Sequence, residues 1–115
     1  MELNYVQNGD YLIPDLTLHE EEPAYGKYGR LRKRYLQQQR KGFYGALLLQ
    51  RELVAHLNSI DAEARLYVSR TVDELAKRQH IDEALKARDQ MAWVGAMNAI
   101  RNQAEEIALR EIVYA

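Results

Sequence analysis

A chain of 115 residues with 16 Lys and Arg, 17 Asp and Glu and no cysteine has the size of one domain that can bury a core unaided. The missing cysteines exclude disulfides, thiolate metal sites and cysteine nucleophiles. The longest purely apolar run, Ala46 to Leu49, is too short to span a membrane, and the N-terminus lacks the pattern of a signal peptide, so the expectation is a soluble, cytoplasmic protein.

The near-neutral total conceals a sorting of charge. The first 25 residues carry six acidic side chains and no Lys or Arg. The next sixteen carry seven basic ones, Lys27, Arg30, Arg32, Lys33, Arg34, Arg40 and Lys41, and no acid. A local cationic block can neutralise phosphates whatever the net charge of the chain.

In chain order, Asn8-Gly9 lies between the apolar runs Leu3 to Val6 and Tyr11 to Ile13. This is a β-hairpin signal, because a type I′ turn needs positive φ at both central residues. Pro14 ends the second strand, and Asp15 to Pro23 reads as an acidic connector, giving a hairpin-and-connector segment over residues 1–25. Residues 26–41 then read as a short basic helix. Tyr28, Leu31 and Tyr35 form its inward stripe, and Arg30, Lys33, Arg34, Arg40 and Lys41 lie to one side. Gly42 and Gly45 mark the next junction.

Residues 43–115 read as a helical hairpin. Leu49, Leu53, Leu57, Ile60, Ala64, Val68, Thr71 or Val72, and Leu75 recur at steps of three and four, a helix of roughly 30 residues with a candidate break at Asn58-Ser59. His80-Ile81 makes the turn and Asp82 caps the last helix, which is expected to run on to Val113. That helix carries two apolar stripes. Leu85, Trp93, Ala96, Met97, Ile100, Ala104 and Ile107 would face the preceding helix. Ala87, Met91, Val94, Leu109 and Ile112, with Asn98 among them, need another cover. A helix about 45 Å long exceeds the ~26 Å implied by a compact domain near this size, so the molecule should be elongated. Two such hairpins would pair into a four-helix bundle, and a homodimer through Met91, Val94, Asn98, Leu109 and Ile112 is the expectation. The overall reading is one mainly α domain: N-terminal β-hairpin, short basic helix, then two long antiparallel helices.

Catalytic signals are weak. His19, His56 and His80 belong to no metal-ligand pattern, and Glu52 with His56 at i,i+4 makes half a site that reads more readily as a surface pair. No Walker loop, G-x-G-x-x-G or nucleophile motif occurs. The reading is a protein without catalysis, cofactor or metal. The basic block with Tyr25, Tyr28, Tyr35, Phe43 and Tyr44 fits nucleic acid better, with Gln37, Gln38 and Gln39 placed to reach base edges. The competing reading folds Glu20, Glu21 and Glu22 back over the cations.

Three segments together resemble the transposon-encoded TnpV proteins of bacterial mobile elements. They are Asp10-Tyr11-Leu12-Ile13-Pro14-Asp15-Leu16; Gly26-Lys27-Tyr28-Gly29-Arg30-Leu31-Arg32 with Tyr35-Leu36; and Ala87-Arg88-Asp89-Gln90-Met91 with Trp93-Val94, Met97-Asn98, Ile100-Arg101, Ala104-Glu105-Glu106-Ile107 and Tyr114-Ala115. The resemblance implies an accessory protein of a transposon or integrative element and supplies no catalytic residues. Where the family pattern is more basic in the last helix this chain has Val94-Gly95-Ala96, which leaves the basic block as the candidate phosphate surface. Two functions follow as expectations: binding DNA through the basic helix to assist or regulate excision, or docking on a recombinase or host defence factor without touching DNA.

Overall fold

A computed structural model of the chain describes residues 21–115, and the β-hairpin expected within residues 3–13 lies outside them. The described residues are helical and contain no strand. Five α-helices follow in order: α1 Lys27–Gln39, α2 Lys41–Leu49, α3 Leu53–Arg78, α4 Glu83–Arg88 and α5 Gln90–Ala108. A π-helical turn, Leu109–Val113, completes the last of them.

The long helices α3 and α5 pack together, and α1 lies across α3 and the π-turn. Ala64 and Val68 of α3 meet Val113, Leu109 and Ile112, while Val72 and Asp73 share a groove with Met97 and Arg101. Rising numbers on α3 therefore face falling numbers on α5, so the pair is antiparallel. The molecule is long, 69 × 34 × 18 Å with a radius of gyration of 20.6 Å, against the ~13 Å of a compact domain near this size.

The apolar side chains gather in two clusters. Leu36, Leu47, Leu53 and Leu57 form one, where α1, α2 and α3 meet, with Tyr25, Tyr35 and Tyr44 around it. Tyr28, Ala64 and Val113 form the other, covered by Leu31, Val68, Leu109 and Ile112. The π-turn serves the second cluster. Its wider winding, closed by the Tyr114 N–H donating to Leu109 O at 2.8 Å, turns Leu109, Ile112 and Val113 together toward α1 and α3.

The helix boundaries differ from the sequence reading in four places. The basic helix ends at Gln39, with Arg40 at φ −134° breaking the geometry, and Gly42 and Gly45 lie inside α2. The central helix is interrupted at residues 50–52 and runs unbroken through Asn58 and Ser59. Arg51 takes the left-handed conformation at φ 59°, and the Glu52 N–H donates to Leu47 O, six residues inclusive, which is a Schellman-type stop without its usual glycine. His80, at φ 58°, ends α3 the same way through Ile81 N–H to Ala76 O, which is the turn read from the sequence. The last helix breaks at Asp89, whose carboxylate accepts the Ala92 N–H and caps α5 as Asp82 caps α4 through Leu85.

Asn58, unbroken within α3, holds the end of the acidic connector instead. Its amide oxygen accepts the Ala24 N–H, and its amide nitrogen donates to the Glu21 carboxylate and the Glu22 carbonyl. Glu21 and Glu22 are thus engaged on α3 and form no ion pair with the basic helix among the described residues.

Candidate nucleic-acid interface

The inward stripe of α1 is Tyr28, Arg32 and Leu36, spaced four apart, with Gly29 beside it. Leu31 and Tyr35, expected at its centre, lie at its edge and are partly buried. Arg32 is therefore a core residue, 7% exposed. Its Nη1 donates to the backbone oxygens of Val113 at 3.1 Å and Ala115 at 2.8 Å, and its Nε donates to His56 Nε2 at 3.2 Å. The last carbonyls of a helix have no partner within it, and a cation there is favoured by the helix dipole. Arg32 caps the C-terminal helix from the side. Burial lowers its pKa, offset by Tyr35 and reinforced by Arg40, yet a guanidinium stays charged at any ordinary pH.

The N-terminus of α1 is capped with the opposite sign. Gly26 at its N-cap has no side chain to offer, and the Gly29 N–H donates instead to Asp61 Oδ1 on α3 at 2.9 Å. Asp61 is fully buried, and its second oxygen lies 2.9 Å from Arg65 Nε, an ion pair without hydrogen-bond alignment. The approach needs glycine: a Cβ on Gly29 would stand 2.3 Å from Tyr25 Cβ.

Lys27 and Tyr28 converge on Glu105 of α5. Lys27 Nζ forms an ion pair with Oε2, and the Tyr28 hydroxyl donates to the same oxygen at 2.8 Å. These bonds, that from Lys27 first, hold Glu105 below the usual carboxylate range. Burial, with the Glu105 bond, pushes the Tyr28 phenol up to about 12. His56 lies edge-on to Phe43, ring centres 5.4 Å apart, and burial, with the Arg32 charge beside it, lowers its pKa. Its side chain thus serves Arg32 and Phe43 and makes no pair with Glu52. Among the described residues no three metal-ligating side chains converge.

The seven cations of the basic block therefore divide. Arg32 and Lys27 tie α1 to the C-terminal helix. Arg30, Arg34, Arg40 and Lys41 are exposed and Lys33 is partly so, and none of these five makes an ion pair among the described residues. On α1, Arg30 and Arg34 stand one turn apart opposite the Tyr28–Arg32–Leu36 stripe, and Lys33 flanks that stripe. Beside them opens a groove of ≈ 390 Å³ lined by Leu31, Arg34, Tyr35, Gln38, Gln39 and Tyr114.

The residues expected at an oligomer interface also divide. Leu109 and Ile112 pack within the chain on the second cluster. Met91 at 86%, Val94 at 42% and Asn98 remain exposed on α5. The sequence reading missed Asp61, Glu105 and His56 as partners of the basic block. The only sequence signal for such a role was the i,i+4 run Tyr28–Arg32–Leu36, which places an arginine on a buried stripe.

Fold and surface define a small, elongated helical protein whose short cationic helix is locked by its inner face and open on its outer one. Residues 4–113 match the family described as transposon-encoded protein TnpV, and the chain belongs to that family. No curated protein and no solved structure matches the chain. No helix among the described residues is long and apolar enough to cross a membrane.

Proposed function

We propose that this TnpV-family protein is a non-catalytic accessory factor of its mobile element that binds DNA through the outer face of α1 and assists or regulates excision. The observation that carries the reading is the set of exposed Arg30, Arg34, Arg40 and Lys41 with partly exposed Lys33, on and beside one short helix whose inner face is fixed to two others. Exposed cations can release counterions from a phosphate backbone, and a helix anchored along its inner face presents them without a large ordering cost. Lys27 and Arg32, occupied by Glu105 and the C-terminal backbone, position this surface. Mobility shift on DNA from the element ends tests the reading. Binding that weakens on joint replacement of Arg30, Lys33 and Arg34 by Ala is expected, and no binding at about 50 mM salt, where electrostatic contacts are strong, would refute it.

A second reading, docking on a recombinase, a host factor or a second copy of the chain, draws on Met91 and Val94, exposed on α5. A mass of twice 13.4 kDa in light scattering, lost on Met91→Lys, supports the homodimer form of this reading, and a monomer at tens of micromolar removes it.

A further inference from the structure

The groove beside the cations has walls that phosphate binding does not require. Tyr35 and Tyr114 stand with ring centres 5.4 Å apart and planes tilted by 51°. Tyr114 is 41% exposed. The Arg32 guanidinium lies 5.8 Å from the centre of the Tyr35 ring. Arg34, Gln38 and Gln39 line the opening as well, and neither glutamine amide makes a side-chain hydrogen bond among the described residues, whereas neighbouring Gln37 donates to the Tyr44 hydroxyl.

A duplex hides the faces of its bases and offers phosphates and groove edges, which cations and amides meet without aromatic rings. Flat aromatic rings beside a guanidinium and unpaired amides suit a different object, a base out of its stack, with its face on the rings and its edge on the amides. The groove is also small, ≈ 390 Å³, near the low end of the ~300–1,000 Å³ range of small-ligand pockets. That volume suits a single base. We propose that this surface takes single-stranded DNA, its phosphates on Arg30 and Arg34 and one base stacked on the exposed Tyr114 ring in the groove that Tyr35 also lines. The inference rests on the DNA-binding reading above and names the form of DNA that this site prefers.

Fluorescence anisotropy of the full chain with labelled oligothymidylate and with a duplex of equal length tests it. The single strand should bind more tightly. Tyr114→Ala should weaken oligothymidylate binding by roughly 5- to 100-fold, the range of one lost stacking partner, and leave duplex binding nearly unchanged. Tyr114→Phe should restore it, because the ring face is kept. If Tyr114→Ala lowers the helical circular dichroism signal, Gln38→Ala with Gln39→Ala, both exposed on α1, must show the same selective loss. Duplex binding as tight as single-strand binding, or variants that weaken both forms equally, overturns this inference and leaves the DNA-binding reading standing. Failure to bind either form overturns both.

Discussion

Arg32 Nη1 donates to the backbone oxygen of Val113 at 3.1 Å, joining the middle of α1 to the end of the chain's last helix across 81 residues of sequence. The same nitrogen reaches Ala115 and Nε reaches His56, so one side chain connects α1, α3 and the C-terminal helix. The outer, cationic face of α1 is oriented by this inner one.

Arg32→Ala should destabilise the protein by about 2–4 kcal/mol, since it strands helix-terminal carbonyls in a buried place and opens a cavity. Arg32→Lys should recover little, because an ammonium lacks the planar fork that spans two carbonyls and an imidazole. Urea denaturation followed by circular dichroism checks both.

The cluster of Lys27, Tyr28 and Glu105 makes stability depend on pH at both extremes. Glu105 has a lowered pKa in the folded protein, so its contribution is complete above the ordinary glutamate value of about 4.3 and is lost as pH falls through the folded value. Tyr28 is raised to about 12, so its contribution is complete below about 10 and is lost as pH rises through 12. The urea midpoint of Glu105→Gln should fall less steeply with acid than that of the native chain. Tyr28→Phe should lower stability near neutrality by about 1 kcal/mol and flatten the alkaline limb.

His56 should give a third, milder dependence. Its Nε2 accepts from Arg32 Nε, which requires the neutral ring with its proton on Nδ1. Its folded pKa is lowered, so the unfolded chain binds the proton more readily, and stability should decline as pH falls from about 6.5 toward the folded value. His56→Gln, which keeps an acceptor but does not titrate, should abolish that slope in urea midpoints measured between about pH 5 and 7.

Much of the architecture was legible because it follows from periodicity. The three-and-four spacing of Leu53, Leu57, Ala64 and Val68 marks the buried face of α3, and Asp82 caps where its short acceptor side chain predicts. The interruptions were not legible for local reasons. Arg51 adopts a left-handed conformation where no glycine announces it, and Asp89 sits in a helical pattern where an acid ordinarily faces solvent. Arg32 was the larger surprise. Counted by residue type it belongs to the cationic block, and only its place between Tyr28 and Leu36 on one stripe marks it as buried. Its acceptors on the C-terminal backbone are distant in sequence and carry no side-chain signal. The segment motif from Gly26 to Arg32 thus combines a close approach at Gly29, two locks at Lys27 with Tyr28 and at Arg32, and an exposed cation at Arg30.

The salt dependence of DNA affinity counts the phosphates whose counterions the protein releases, and so reads out whether the outer face of α1 meets DNA. The native chain should show a log–log slope set by its contacts, and the joint variant Arg30→Ala, Lys33→Ala, Arg34→Ala should lose roughly 2 to 3 units of slope per chain at about 0.7–0.9 per contact. An unchanged slope in that variant, with the fold intact by circular dichroism, would contradict the assignment of DNA binding to the outer face of α1.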